Sequence, residues 1–287
     1  MGKPLTLIDY IRLSTDFLAR RGIESARLDA EVLLAYVLQQ DRVYLYVHFD
    51  QPLEPSEVDA YRELIVQRGR RIPVAYLTGE KEFYSRAFRV EPGVLIPRPD
   101  TEILVERVVA WAHGRGGPLE IADIGTGSGA IAVTLALELP QAAVWATDVS
   151  DEALRVAAGN AERLGASGRV HFLHGPWLEP LDGRQFDAVV ANPPYIPSAE
   201  LERLAPEIRY EPRVALDGGQ DGLAAYRVLV PGALKAVRPG GIAAVEVGDG
   251  QAETVAQMAE RAGWQRVETV KDHAGIDRVV VMERGDG

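Results

Sequence analysis

The tetrapeptide Asn192-Pro193-Pro194-Tyr195 is the sharpest chemical motif in this sequence. It follows residues 186–191, an apolar run with the composition of a buried strand. The two prolines fix the backbone and remove two amide donors, so the acceptors that remain are the Asn192 side-chain carbonyl and the Pro193 backbone carbonyl. Two acceptors in a rigid corner suit a planar –NH2 group, over which Tyr195 would pack. The motif therefore predicts a site that holds and aims an amide or amino nitrogen.

A glycine loop, Asp123-Ile124-Gly125-Thr126-Gly127-Ser128-Gly129, forms the second motif. Glycines after a strand let a ligand approach the backbone closely, where N–H groups and a helix N-terminus offer donors. The spacing differs from the G-x-G-x-x-G pattern of dinucleotide-binding folds. The carboxylate of Asp123 disfavours a pyrophosphate and suits a ligand with an ammonium group, whereas a plain strand-to-helix turn is the alternative.

Asp148 ends the next predicted strand, where its carboxylate can accept two hydrogen bonds from ribose hydroxyls. A cap for the helix that begins near residue 151 is the alternative role of this side chain. His171 and His174 form a close pair on a predicted strand with no third ligand nearby in sequence, so no metal site is predicted.

Alternating apolar runs from residue 119 onwards predict the elements that position these motifs. Helices are predicted over 130–139 and 151–164, and strands over 119–124, 143–148, 170–173, 186–191 and 241–246. Such alternation implies a mostly parallel sheet with helices on both faces. Residues 266–270 and 278–282 are joined by a connection too short for a helical crossover, so they are predicted to pair antiparallel. This α/β outline is typical of Rossmann-like S-adenosylmethionine-dependent methyltransferases.

The N-terminal part of the chain has a helical pattern instead. Apolar residues recur at helical spacing through residues 5–71, and Pro73 ends the last run. We therefore predict a small helical domain over 1–73, a β-hairpin linker over 74–96 and a catalytic domain over 97–287. The helical domain carries no catalytic constellation, which leaves recognition of the substrate as its predicted role.

Composition and charge exclude several classes of function. The 287 residues include no cysteine, so disulfides and thiolate chemistry are excluded. Without a signal-peptide pattern or an apolar run of about 20 residues, the chain is predicted to be cytoplasmic and not membrane-bound. Residues 1–78 hold 10 basic and 11 acidic side chains and residues 79–287 hold 21 and 31, giving net charges of −1 and −10. A catalytic part this acidic repels phosphate backbones, which argues against a nucleic-acid substrate.

The sequence resembles the protein-(glutamine-N5) methyltransferase family over nearly its whole length, and within it the peptide chain release factor glutamine methyltransferases. Besides the two motifs above, the resemblance rests on residues 71–79, 95–102, 211–212, 215–219, 221–223, 272 and 275–278. The segments at 97–99 and 217–219 are more specific than the tetrapeptide, which adenine methyltransferases share. The family implies methylation, by S-adenosyl-L-methionine, of the glutamine N5 in the Gly-Gly-Gln motif of class 1 release factors during translation termination. It also implies a helical domain that recognises the release factor.

The resemblance further implies roles for particular residues. Residues 123–127 would hold the methionine part of the cofactor, Asp148 the ribose and Trp177 the adenine side, while Asn192 would contact both cofactor and glutamine. The predicted cofactor-binding residues are Asp123, Ile124, Gly125, Thr126, Gly127, Asp148, Trp177 and Asn192. The predicted substrate-binding residues are Asn192, Pro193, Pro194 and Tyr195, of which Asn192, Pro193 and Tyr195 are the predicted catalytic residues.

One segment departs from the pattern of similar methyltransferases. Many of them carry an acidic residue after the third strand, which holds the adenine amino group, but here the stretch is Gly175-Pro176-Trp177. Trp177 is therefore either an adenine contact or a core aromatic residue. Three other functions remain open from the sequence: glutamine methylation of a ribosomal protein, adenine-N6 methylation of nucleic acid, and cofactor binding without catalysis.

Overall fold

The computed structural model describes residues 4–286, which divide into two compact units. The first, called the helical unit, comprises the chain up to Glu80 together with Ala205–Tyr210. The second, called the sheet unit, comprises Lys81–Leu204 and the chain from Glu211 onwards. Between residues 4 and 286, no helix is long and apolar enough to cross a membrane.

Helices account for most of the described residues up to Glu80, as predicted. They are α1 (Leu7–Ala19), α2 (Ala26–Leu38), α3 (Arg42–Val47), α4 (Pro55–Gly69) and α5 (Val74–Thr78). The Asp9 carboxylate accepts hydrogen bonds from the Thr6 backbone N–H and hydroxyl, so it caps the N-terminus of α1. Leucine, isoleucine and alanine side chains make up most of the buried core, in which the Tyr61 hydroxyl donates to the Ala30 carbonyl.

Helix α5 departs from the prediction, because residues 74–78 were expected to belong to a linker of short strands. Pro73 precedes the helix, and Gly79 ends it in the left-handed conformation with φ of 74°. The Thr78 hydroxyl donates to the Val74 carbonyl at 3.1 Å, a local bond that favours the helical turn. The hairpin begins only afterwards, with β1 (Glu80–Phe83) and β2 (Arg86–Arg89) forming a two-stranded sheet.

Residues 205–210 join the helical unit through a cluster of ion pairs. Arg68 is 5% exposed and donates to Asp29 at 2.7 Å and to Glu207 at 2.9 Å. Arg71 also donates to Glu207, at 3.0 Å. A buried guanidinium needs such partners because an unpaired charge there would be strongly destabilising. The predicted domain boundaries did not assign residues 205–210 to the helical domain, because this segment is remote in sequence from the helices that it contacts.

A seven-stranded sheet forms the centre of the sheet unit. Its strands are β3 (Leu119–Ile124), β4 (Ala142–Asp148), β5 (Val170–His174), β6 (Phe186–Ala191), β7 (Val237–Glu246), β8 (Arg266–Lys271) and β9 (Asp277–Glu283). The spatial order is β5-β4-β3-β6-β7-β9-β8. The neighbours from β5 to β7 pair parallel, whereas β9 pairs antiparallel with both β7 and β8. The predicted fold class, a parallel sheet completed by an antiparallel pair, is confirmed.

Helices cover both faces of this sheet. They are α6 (Glu102–His113), α7 (Ala130–Glu138), α8 (Asp151–Arg163), α9 (Ala224–Ala236) and α10 (Ala252–Ala262). Ile121 belongs to the buried cluster that includes residues of α6 and α7, and its neighbour Ala122 belongs to the cluster of α9 and α10. Because both faces of the central strands are buried, these strands have nearly continuous apolar sequences.

The register of the central strands brings the two chemical motifs together. Ile124 pairs with both Thr147 and Ala191, so the residues that follow them, Gly125, Asp148 and Asn192, lie at the same edge. This is the carboxyl edge of the sheet, at the point between β3 and β6 where the order of strands reverses. Ligands of doubly wound folds bind at such a point.

Candidate active site

A cavity of about 780 Å³ opens at this edge of the sheet unit, a size typical of small-molecule sites. The predicted site residues that line it are Gly125, Thr126, Gly127, Asp148, Trp177, Asn192, Pro193 and Pro194. Asp123, Ile124 and Tyr195 do not belong to the lining. The structure thus brings most of the predicted residues around one cavity and leaves three of them beside it.

The glycine loop presents its backbone to this cavity. Gly125 and Gly127 have φ of 75° and 56°, and a Cβ on either would meet no atom within 4 Å. Three N–H groups of the loop already have hydrogen-bond acceptors within the protein. Gly125 and Thr126 donate to the Thr147 carbonyl, and Gly127 donates to Asp148 Oδ2, each at 2.9 Å. These three N–H groups are therefore paired within the protein. What the loop provides for a ligand is open space next to the backbone of Gly125 and Gly127.

Asp123 lies beneath the loop and is 0% exposed. Its Oδ2 accepts hydrogen bonds from the Thr126 hydroxyl at 2.6 Å and the Ala132 N–H at 3.1 Å. Burial disfavours the charged carboxylate and raises the pKa of Asp123 to about 7. This placement makes Asp123 a brace of the loop, and its contact with a ligand's ammonium group stays a prediction.

Asp148 lines the cavity and has one hydrogen bond on each carboxylate oxygen. Oδ2 accepts from Gly127 N–H and Oδ1 accepts from Ser150 N–H, both at 2.9 Å. Each oxygen keeps a second acceptor site for a ligand hydroxyl. The alternative role of capping α8 belongs to Ser150, whose hydroxyl accepts from Ala153 N–H at 3.2 Å.

Trp177 occupies the turn after β5 with an unusual backbone conformation, φ of 50°. Its carbonyl accepts a hydrogen bond from the Thr147 hydroxyl at 2.8 Å, which holds the turn against β4. The side chain lines the cavity and also packs against the apolar cluster under α9 and α10. The core placement and the cavity placement of Trp177 are therefore compatible.

Asn192 lines the cavity and is held by a hydrogen bond to Thr101. The Asn192 Nδ2 group donates to Thr101 Oγ1 at 3.1 Å, and Thr101 is 4% exposed. This bond directs the carbonyl oxygen of the same amide away from Thr101. Tyr195 packs partly into the core, where burial raises its pKa, and its backbone carbonyl accepts from Gln251 at 2.9 Å. Its place is beside the cavity and not over it.

The loop that follows the tetrapeptide is braced by residues 215–219, to which the sequence assigned no role. Asp217 Oδ1 accepts hydrogen bonds from the Ser198 hydroxyl at 2.5 Å and the Gly219 N–H at 3.0 Å. A Cβ on Gly218 would lie 2.8 Å from the carbonyl carbon of Tyr195, so only glycine fits. The aspartate-glycine-glycine pattern at 217–219 was the sequence feature that could have indicated this bracing role.

Arg98 and Thr101 also line the cavity and were missed as site residues. Glu211, 7% exposed, accepts from Ile96 N–H at 3.0 Å and pairs with Arg98, which fixes the segment before α6. The sequence feature that could have indicated Arg98 and Thr101 was the segment 95–102, which the resemblance included without giving its residues individual roles.

Among residues 4–286, no cluster of three or more potential ligands for a metal occurs.

Comparisons with known proteins identify the family. Residues 9–79 match the PrmC N-terminal domain, and residues 99–211 match the methyltransferase small domain. Over 275 residues the chain is 51% identical to a release factor glutamine methyltransferase of Geobacter sulfurreducens, covering 96% of this chain and 94% of that protein. The chain belongs to the release factor glutamine methyltransferase family. A further member from Moorella thermoacetica is 48% identical over 271 residues, covering 93% of this chain and 94% of that protein.

The fold also resembles that of a methyltransferase of known structure. A methyltransferase from Pyrococcus furiosus superposes with a TM-score of 0.55 at 22% identity, covering 76% of this chain and 98% of that chain. This likeness concerns the fold alone. As a member of the release factor glutamine methyltransferase family, the chain is an S-adenosyl-L-methionine-dependent methyltransferase.

Proposed function

We propose that this enzyme methylates the side-chain amide nitrogen, N5, of the glutamine in the Gly-Gly-Gln motif of class 1 peptide chain release factors. Identity of 51% to a release factor glutamine methyltransferase over nearly the whole chain carries the proposal. The cavity lined by Asn192, Pro193 and Pro194 supports it, since this corner suits a planar amide. Because release factors act on ribosomes, the proposal places the reaction in the cytoplasm.

The residues of the cavity fit S-adenosyl-L-methionine. The open backbone at Gly125 and Gly127 forms a cradle that side chains would fill, and Asp148 keeps acceptor sites for ribose hydroxyls. Trp177 offers an aromatic face to an adenine. The bound cofactor supplies an electrophilic methyl group, and these residues would hold it next to Asn192.

The Asn192 corner compensates for a poor nucleophile. An amide nitrogen reacts weakly because its lone pair is delocalised over the carbonyl. The Asn192 side-chain carbonyl and the Pro193 backbone carbonyl would accept the two N–H hydrogens of the glutamine and fix the direction of its nitrogen. The same acceptors stabilise the positive charge that develops on nitrogen, so positioning and electrostatics supply the rate enhancement. No base is needed before the methyl group moves.

Substrate choice is the proposed task of the helical unit. This unit contributes no lining residue to the cavity described above. The net charge of −10 over residues 79–287 opposes binding of a nucleic-acid backbone, which leaves a protein substrate as the better fit.

A comparison of three classes of substrate tests the proposed function. The enzyme is incubated with labelled S-adenosyl-L-methionine and, in separate reactions, a release factor, ribosomal proteins and DNA. We expect label on the release factor, located by mass spectrometry on the glutamine of Gly-Gly-Gln. A release factor with glutamate in place of that glutamine is the matched control and should take no label. Label on a ribosomal protein or on DNA, with none on the release factor, would contradict the proposal.

A further inference from the structure

Glu246 is a buried acid next to the Asn192 corner to which no role has yet been assigned. It ends β7, is 1% exposed, and its Oε2 atom has no hydrogen-bond partner among the described residues. Ala191 pairs with Val245, so the residues that follow them, Asn192 and Glu246, lie side by side at the carboxyl edge. A buried carboxyl with an unused oxygen is destabilising, and such groups are concentrated at functional sites.

Thr101 connects this acid to Asn192. Thr101 stands at the N-cap of α6, yet its side chain makes no capping bond to the helix. Its Oγ1 instead accepts from Asn192 Nδ2 at 3.1 Å, and hydrogen bonding from the Thr101 side chain is one of the influences that lower the pKa of Glu246. A hydroxyl has one donor and two acceptor sites. When its proton goes to Glu246, Thr101 can only accept from Asn192.

We propose that Glu246 is a positioning residue for methyl transfer, which acts through the Thr101 hydroxyl to fix the direction of the Asn192 amide. The ionised carboxylate takes the Thr101 proton, Thr101 accepts from the Asn192 –NH2 group, and the Asn192 carbonyl is left for the substrate. The inference rests on the proposed role of Asn192 and extends it to Thr101, which lines the cavity, and to Glu246, which does not line it and acts through Thr101.

The charged groups around Glu246 are largely committed to other partners. Arg278 donates to Asp272 at 3.0 Å and lies 3.5 Å from Asp100, and Arg98 pairs with Glu211. Tyr226 donates its hydroxyl at 2.8 Å to the Glu246 backbone carbonyl and not to the carboxyl. The remaining titratable neighbour is Tyr195, whose own pKa Glu246 helps to raise. Thr101 is therefore the neighbour through which a change at the carboxyl reaches the site.

Ionisation of Glu246 gives the arrangement a pH dependence. Burial raises the pKa of Glu246 to about 7, opposed by the Thr101 hydrogen bond and the nearby arginines. Below this pKa the protonated acid donates to Thr101, whose own proton then turns towards Asn192, and the Asn192 amide rotates so that its carbonyl accepts this proton. That arrangement blocks the acceptor meant for the substrate. The rate of methyl transfer should therefore rise as the pH passes through about 7.

Single-turnover methylation of the release factor at saturating cofactor tests this inference. Thr101→Val should lower the rate by at least about tenfold with little change in cofactor affinity, and Thr101→Ser should restore it. Glu246→Gln should abolish the rise near pH 7, because its amide oxygen accepts from Thr101 at every pH. Folded Thr101→Val and Glu246→Gln enzymes with the wild-type rate and pH profile would overturn the inference. If Asn192→Ala is slow in the same assay, the proposed function survives that result.

An infrared pH titration provides a readout that needs no substrate. The difference between wild type and Glu246→Gln isolates the carboxyl band of Glu246, which we expect to titrate near pH 7. Asp123→Asn is the matched control, because Asp123 is the other buried acid with a pKa of about 7 and its replacement should leave that band in place. Thr101→Val should shift the band and its midpoint upwards, since a bond that favours the ionised form is lost. An unshifted titration in Thr101→Val would contradict the link between the two side chains.

Discussion

Asp148 ends β4, and Asp123 lies one residue before the end of the neighbouring strand β3, yet their environments separate their roles. Asp123 is fully buried and holds the glycine loop through Thr126 and Ala132. Asp148 lines the cavity and keeps acceptor capacity towards it. The sequence placed both at strand ends, but it could not show which carboxyl faces the ligand, because that depends on how the loop folds back over Asp123.

Asp148→Ala should weaken the binding of S-adenosyl-L-methionine. The hydrogen bonds predicted between Asp148 and ligand hydroxyls would contribute roughly 1–3 kcal/mol, and the substitution also removes the acceptor of Gly127 and Ser150. Titration calorimetry measures the change. Asp151→Ala, which removes an exposed carboxylate three residues further along the chain, is the matched control and should bind nearly as wild type. An unchanged dissociation constant in folded Asp148→Ala would remove this residue from the site.

Asp123 should make the stability of the ligand-free enzyme depend on pH. Its pKa rises from 3.8 to about 7 on burial, so the folded state binds this proton more tightly than the unfolded state. The free energy of unfolding should therefore fall as pH rises from about 4 to about 7. Urea unfolding at several pH values should show a smaller fall for Asp123→Asn. Identical slopes in the two proteins would mean that Asp123 does not titrate in this range.

At the scale of elements, the buried parallel strands were predictable because each is a short apolar run between turns. The predicted strand at 241–246 began too late: Val237 already pairs with Phe186, before a shift of register that the sequence does not reveal. Helix α5 was missed because five residues between Pro73 and Gly79 show no periodicity that separates helix from strand. The contact of Asn192 with Thr101 depends on how α6 packs on the sheet, which no local pattern encodes.

The glycines of the loop between β3 and α7 should respond differently to substitution. A Cβ on Gly129 would lie 3.0 Å from the Cβ of Ala157, whereas one on Gly127 would enter open space in the cavity. Both have positive φ, so alanine carries a strain of about 1–2 kcal/mol at either position. Gly129→Ala should lower the melting temperature more, and Gly127→Ala should weaken cofactor binding more. The opposite ranking, by calorimetry and thermal unfolding, would contradict these placements.

At the scale of the molecule, the helical unit offers an exposed apolar surface that its own core does not explain. Val43, Val47 and Phe49 are 66%, 66% and 53% exposed, and Tyr46 beside them is 51% exposed. These residues lie on α3 and the turn that follows it, and such clustering is typical of a surface that binds a partner. The sequence predicted a recognition role for residues 1–73 but could not locate the surface, since α3 itself was not foreseen.

Val43→Asp and Val47→Asp should raise KM for the intact release factor by about tenfold or more, because a charge replaces apolar contact area. The rate with a short peptide that contains Gly-Gly-Gln should stay close to wild type, since the cavity lies in the sheet unit. Melting temperatures check that the helical unit remains folded. Equal losses with protein and peptide would place the effect in the catalytic step and not in recognition.

The most direct test of the central claim is the single-turnover rate of Asn192→Ala on the release factor glutamine, measured with cofactor affinity and melting temperature. We predict a fall on the order of 10²-fold or more in the rate of the chemical step, with cofactor affinity changed far less. Asn192→Asp should lie between Ala and wild type, because an acceptor survives but the donor to Thr101 is lost. If Asn192 only shaped a turn, both variants would lose stability and keep their rate per folded molecule. Normal turnover by folded Asn192→Ala would contradict the account.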